Sequence, residues 1–159
     1  FAALMNGIVQ VAALSYPLYP KAIKVGMREL VNFGDLGVED INGTVITTRA
    51  FLTQHRDTGL RFMRGFTRGM QRYRMDKEFS KKVLAKYGKI NDEEILEGTW
   101  QDYAPTLQKS PRPALSAVQY LIENQFSGKK PLPKVEQFVD SSLAEQLEKS
   151  GFVDSLYKQ

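Results

Sequence analysis

Two short apolar runs near the start of the chain end in residues able to grip a small polar molecule. Ile8–Leu14 gives way to Ser15-Tyr16-Pro17, and Glu29-Leu30-Val31-Asn32-Phe33 gives way to Gly34-Asp35-Leu36-Gly37. A serine hydroxyl both donates and accepts hydrogen bonds, and a tyrosine adds a phenol to a stacking surface. Ser15 and Tyr16 are therefore candidate ligand contacts, with Tyr19 as a further one. Asp35 offers a carboxylate to an amine or hydroxyl, and the flanking glycines permit the backbone changes of a hinge. Turn chemistry competes for the same residues, because Ser before Tyr-Pro ends a strand and Asp between glycines makes a turn.

Other chemistries find little support. The 159 residues contain no cysteine and one histidine, His55. Disulfides, thiolate catalysis and cysteine metal sites are excluded, and a Ser-His-Asp triad would depend on that single imidazole in a polar turn. No metal and no cofactor is expected. Asp92-Glu93-Glu94 reads as first-turn acids favoured by a helix dipole, not as a catalytic carboxylate pair. Trp100 and Tyr103 read as core. The net charge of +4 is concentrated over Arg49–Asp76, where Arg61, Arg64, Arg68 and Arg72 recur at helical spacing. Without interleaved aromatics that stripe reads as a solvated helix face, and nucleic acid is not expected as a partner.

The elements that would position these residues follow from periodicity. Phe1–Asn6 reads as the end of a helix closed by Gly7. Ile8–Leu14, Arg28–Phe33 and Thr44–Thr48 are rich in apolar and β-branched residues and read as buried strands, with a short helix over Pro20–Val25. Pro17 and Pro20 must stop the first strand near Ser15, since proline donates nothing to a ladder. From Arg49 onward the pattern is helical. Leu60, Met63, Phe66, Met70 and Tyr73 share one face of a long helix with Asp57 as its expected N-cap. Further helices are expected over Lys77–Tyr87, Asn91–Tyr103 (capped by Asn91) and Ala114–Phe126, with an extended Ala104–Pro113 between the last two. Short helical pieces follow at Val135–Val139 and Leu143–Ser150, and Gly151–Lys158 closes the chain. Three strands under so many helices form an unbalanced α/β protein, so further strands are expected from sequence before Phe1.

An ordered series of short segments carries a family resemblance: Leu4-Met5-Asn6-Gly7, Ala12-Ala13-Leu14-Ser15-Tyr16-Pro17-Leu18, Asn32-Phe33-Gly34-Asp35-Leu36-Gly37, Thr47-Thr48-Arg49-Ala50-Phe51-Leu52, Lys86-Tyr87-Gly88 and Val139-Asp140-Ser141-Ser142-Leu143. The chain resembles the C-terminal half of the nitrate/sulfonate/taurine group of ABC-importer substrate-binding proteins, which includes relatives binding or making thiamine pyrimidine precursors. The resemblance implies an α/β, type 2 periplasmic-binding-protein fold with two lobes joined by a hinge. Residues 1–33 would end the second lobe, 34–43 would be the hinge or crossover loop, and 44–159 would complete the first lobe. Asn32, Phe33 and Gly34 would form the hinge, while Ser15, Tyr16, Tyr19 and Asp35 would line the cleft.

The implied function is capture of a small anionic or heterocyclic ligand by a monomer that docks on a membrane permease. The implied location is the periplasm, or a lipid-anchored extracellular position in a bacterium without an outer membrane. Two alternatives share that architecture: a thiamine pyrimidine precursor synthase, which the absence of cysteine disfavours, and the effector domain of a transcription regulator.

Overall fold

The computed structural model describes residues 1–36, 41, 43–128 and 131–158. Among them it holds nine α-helices and no strand. Helices α1 (Ala2–Met5), α2 (Leu18–Lys24) and α3 (Arg49–Gln54) are short, and α4 (Arg56–Met75) runs for 20 residues. Then follow α5 (Lys77–Gly88), α6 (Glu93–Thr106), α7 (Leu115–Gln125), α8 (Ser142–Lys149) and α9 (Phe152–Ser155), with 3-10 turns at Phe33–Leu36 and Val135–Gln137.

The α/β, type 2 periplasmic-binding-protein expectation is thereby overturned: helix makes up 62% of the structure and strand none. Ile8–Leu14, Arg28–Phe33 and Thr44–Thr48 are not strands. All three are irregular or extended chain, except that Phe33 opens a 3-10 turn. The physical reason is that β-branched composition only makes a segment compatible with a sheet. A strand exists when a neighbour takes its N–H and C=O groups, and among the described residues none of the three has one. Their apolar side chains accordingly face solvent, with Leu30 75% and Ile46 86% exposed. Within the expected 34–43 crossover loop, residues 37–40 and 42 lie outside the described residues.

The helices are set by local chemistry that the periodicity read well, with shifts at their ends. Asp92, not Asn91, caps α6, accepting from the backbone N–H groups of Glu94 and Ile95 at 3.0 and 3.1 Å. That helix runs on to Thr106 through Pro105, although Ala104–Pro113 reads as extended. Its last turn loses little by this, because a late proline breaks one hydrogen bond near an end that is already frayed. Helix α4 begins at Arg56, with Asp57 inside its first turn where the dipole favours an acid. Asp76 caps α5 through the N–H of Phe79, and Thr48 caps α3 through that of Phe51.

The chain packs as two compact units, Phe1–Leu36 with Arg72–Leu107 and Gly37–Gln71 with Gln108–Gln159. Helix α4 gives its first sixteen residues to the second unit and its last four to the first. In the first unit α5 and α6 pack side by side, burying Ile95, Leu96, Thr99 and Ala104. Trp100 Nε1 donates to the Tyr73 carbonyl at 2.8 Å, and the buried Ser80 hydroxyl meets the same carbonyl at 2.9 Å. In the second unit Leu143, Ala144 and Leu147 of α8 are buried, together with Val153 of α9 and Ala117, Val118 and Ile122 of α7. Gly59 of α4 admits Leu143, whose Cδ1 would lie 3.1 Å from an added Cβ.

An ionic seam joins α5 to α6. The Lys81 side chain is 10% exposed and is met by Glu97 Oε2 at 3.2 Å and by Glu93, while Lys77 reaches Glu97 Oε1 at 3.1 Å. Hydrogen bonds from Lys77 and then Lys81 hold the Glu97 carboxyl below its usual range. A depressed folded pKa stabilises the fold above the ordinary carboxylate range, and that contribution is lost as pH falls through the depressed value. The urea midpoint should therefore decline as pH drops below about 4.3. Glu97→Gln should start lower at neutral pH and decline less steeply. A Glu97→Gln curve parallel to the parent curve would remove Glu97 from the seam.

Candidate functional site

The residues singled out in the sequence converge in the first unit through one carboxylate. Tyr16 lies just before α2 and Tyr19 lies in its first turn. That turn tolerates Pro20 because its N–H groups have no partner inside the helix. The two rings meet edge to face at 5.8 Å, and Tyr16 makes a similar contact with Tyr103 of α6 at 6.3 Å. Tyr19 then donates its phenol to Glu29 Oε2 at 2.7 Å. Glu29 in turn lines an open depression with Leu30, Val31, Asn32, Asp35 and Leu36. So Tyr16 and Tyr19 are linked through Glu29 to the depression that Asn32 and Asp35 line.

The remaining candidates fall differently. Ser15 is exposed, and its carbonyl accepts from the N–H groups of Leu18 and Tyr19, which is the turn chemistry that competes with a ligand role. Phe33 and Gly34 stand with Asp35 in the 3-10 turn. Phe33 is 62% exposed. Glu29 was missed in the sequence because it sits inside an apolar run read as a strand. A lone charge breaking such a run is the signal that could have found it.

Tyr16 is fixed from beneath by a glycine. A Cβ on Gly98 of α6 would lie 3.0 Å from Tyr16 Cε1 and 3.1 Å from its hydroxyl oxygen, so the ring rests on bare helix backbone. Burial, and then the Asp102 carboxylate, raise the Tyr16 phenol above its ordinary pKa; the hydrogen bond to Glu29 is the main cause of the rise at Tyr19. Both rings therefore stay neutral donors throughout the physiological range. The surface they border is acidic, with Glu29 and Asp35 among its lining residues and no lysine or arginine. Such a surface accepts hydrogen bonds from an amine and offers aromatic edges to a flat ring.

The other sequence candidates take structural or exposed positions. Trp100 is half-buried, with its indole N–H satisfied as described above. Asp92 is a helix cap paired with Lys24 at 3.5 Å. His55 is exposed beside the Phe51 ring at 5.3 Å. Arg72 pairs with Asp76 at 3.5 Å and lies 3.5 Å over the Phe79 ring. Phe66, expected on the apolar face of α4, is 42% exposed. No group of three or more His, Cys, Asp or Glu side chains able to hold a metal occurs among the described residues. No described helix is long and apolar enough to cross a membrane.

Comparison with protein-family models, with curated proteins and with solved structures finds no match in any of the three.

Gly98→Ala tests the seat of Tyr16. Alanine favours the helix by up to about 1 kcal/mol, which offsets a ring shift of a few tenths of an ångström. The thermal midpoint should stay within about 5 °C of the parent, while the NMR ring signals of Tyr16 and Tyr103 move together. Unmoved ring signals would show that Tyr16 does not rest on Gly98.

Proposed function

We infer that this chain is a ligand-binding protein, the solute-capturing component of an ABC importer, and that its ligand is a small amine-bearing heterocycle. The reading joins the order of sequence segments to one observation of geometry, the Tyr19–Glu29 hydrogen bond. That bond sets an aromatic wall of Tyr16 and Tyr19 against a depression carrying Glu29, Asn32 and Asp35. Of the two ligand classes that the resemblance implies, anionic and heterocyclic, the second fits these groups. Two carboxylates repel a sulfonate or nitrate, whereas a ring amine donates to them while the ring lies against tyrosine. Tyr19 would steer the Glu29 carboxylate by occupying one oxygen and leaving the other for the ligand. Binding rather than catalysis is favoured because these groups recognise a ligand without supplying a nucleophile–base pair.

Calorimetry on the purified chain tests the reading, with aminopyrimidines compared against taurine, nitrate and bicarbonate. Aminopyrimidine binding should weaken at least about tenfold in Glu29→Gln, the loss of one charge-assisted hydrogen bond. Tyr19→Phe should weaken it by less. Binding of the anions with none of the aminopyrimidines would refute the ligand class, and no binding of any solute would refute solute capture.

A further inference from the structure

The exposed side of α4 within the second unit is organised in a way that its own packing does not explain. At about 100° per residue, Arg61, Arg64 and Arg68 fall in an arc of roughly 60° and run about 10 Å along the axis. All three are exposed; Arg61 donates to the Thr58 hydroxyl at 3.1 Å, and no carboxylate lies within ion-pair distance of any of them among the described residues. Arg64 and Arg68 instead converge on the Phe152 ring of α9, their guanidinium carbons 5.8 and 5.4 Å from its centroid. Two like charges are thus held near one ring with no counter-ion among the described residues. Around the helix from this row, Phe62 and Phe66 are 56% and 42% exposed and stack on each other at 6.2 Å and 15°.

Between the arginine row and the phenylalanine ridge lie Gly65 and Gly69. A Cβ added at either would meet nothing within 4 Å. Each glycine costs the helix about 1 kcal/mol relative to alanine. Gly59, on the buried side, is explained by the approach of Leu143; Gly65 and Gly69 have no such neighbour. Their effect is a backbone-deep trough with cations on one bank and aromatic rings on the other.

We propose that this face of α4 docks an acidic amphipathic α-helix of a partner protein, its backbone in the Gly65–Gly69 trough and its carboxylates against Arg61, Arg64 and Arg68. Charge complementarity selects the partner's sign. The helical repeat selects its form, since carboxylates at i, i+3 or i+4, and i+7 of an opposing helix match the length of the arginine row. Guanidinium forks take carboxylates bidentately, and the Phe152 ring pre-orders two of them, reducing the rotamer entropy lost on docking. Apolar residues of the opposing helix would cover Phe62 and Phe66. A bilayer or a phosphate backbone would also be drawn to the arginines, but neither has a use for the trough. The inference stands apart from the solute reading and uses none of its residues.

The probe is a fluorescein-labelled helical peptide of about five turns, long enough to be stable when docked, with glutamates at that spacing beside leucines, and a twin in which glutamine replaces each glutamate. Anisotropy should show the acidic peptide binding the full chain at least about tenfold more tightly than its twin, with the gap closing in high salt. Arg64→Gln/Arg68→Gln should abolish the preference, and Lys21→Gln/Lys82→Gln, which removes two positive charges elsewhere, should leave it. Gly65→Ala/Gly69→Ala should raise the thermal midpoint by helix propensity and weaken the peptide at least about tenfold by filling the trough. Circular dichroism on each variant keeps misfolding distinct from lost binding. Equal affinity for the two peptides, or none for either, overturns the proposal. So does unchanged peptide affinity in the alanine variant. Binding to vesicles of phosphatidylglycerol that the peptide does not displace would assign the face to lipid instead. A dimer in sedimentation that Arg64→Gln/Arg68→Gln dissolves would assign it to a second copy.

Discussion

Among the described residues Lys81 is the charged residue with the most enclosed side chain, and the arrangement of α5 and α6 is what makes it tolerable. Its stem packs between the helices while carboxylates hydrogen-bond its ammonium, and the Glu93 contact chief among these raises the lysine above its ordinary pKa. Here Glu97 and Glu93 approach from α6 and Glu78 from a turn away on α5. Glu97 is shared with Lys77, so the two lysines and their acids form one chain of alternating charge along the helix pair. The geometry fixes the register of α6 against α5, and with it the positions of Gly98, Trp100 and Tyr103. Tyr16 rests on the first and touches the last. The aromatic wall of the candidate site is therefore placed by an ion-pair seam on the neighbouring turns of the same helix.

That dependence explains which parts of the architecture were legible in the sequence. Helical periodicity, acids in first turns and glycines after last turns are local signals, and they located α4 to α8 with errors of a few residues. The cap at Asp92 instead of Asn91 is such an error: both side chains can cap, and Lys24 beside Asp92 adds charge to the choice. The strands were not legible in the same sense. Ile8–Leu14, Arg28–Phe33 and Thr44–Thr48 carry the composition of buried β-structure, but a ladder is a relation between segments and no single segment encodes it. The same apolar side chains that signalled strands are exposed in the structure.

The candidate site was half legible for a related reason. Tyr16, Tyr19, Asn32 and Asp35 stood out because polar and aromatic residues at the ends of apolar runs are conspicuous. Glu29 did not, although it is the residue that joins the tyrosines to the depression. Its role depends on Tyr19 reaching it across ten residues of chain, which only the turn between α2 and the following segment arranges. The local charge was likewise hidden. The excess of arginine gives the whole chain a positive charge, yet the surface around Asp35 is lined by acids.

In both units part of the basic charge is used structurally. In the first unit Lys24, Lys77 and Lys81 meet carboxylates, Arg72 meets Asp76 and the Phe79 ring, and Arg74 donates to the Leu107 carbonyl. In the second unit several arginines are also used structurally. Arg49 donates to the carbonyls of Glu136 and Gln137, Arg56 to Ser142, and Arg112 pairs with Glu148. Arg61 donates to Thr58 and Arg64 and Arg68 lie over the Phe152 ring, but none of the three has an ion-pair partner among the described residues, and all three are aligned on a single face. Had all the arginines served only to keep the chain dissolved, there would be no reason for the unpaired ones to share one edge of one helix. Nor would there be a reason for that edge to border two glycines whose cost no internal contact recovers. The alignment and the trough together are what a partner helix would require of α4, and solubility alone requires neither.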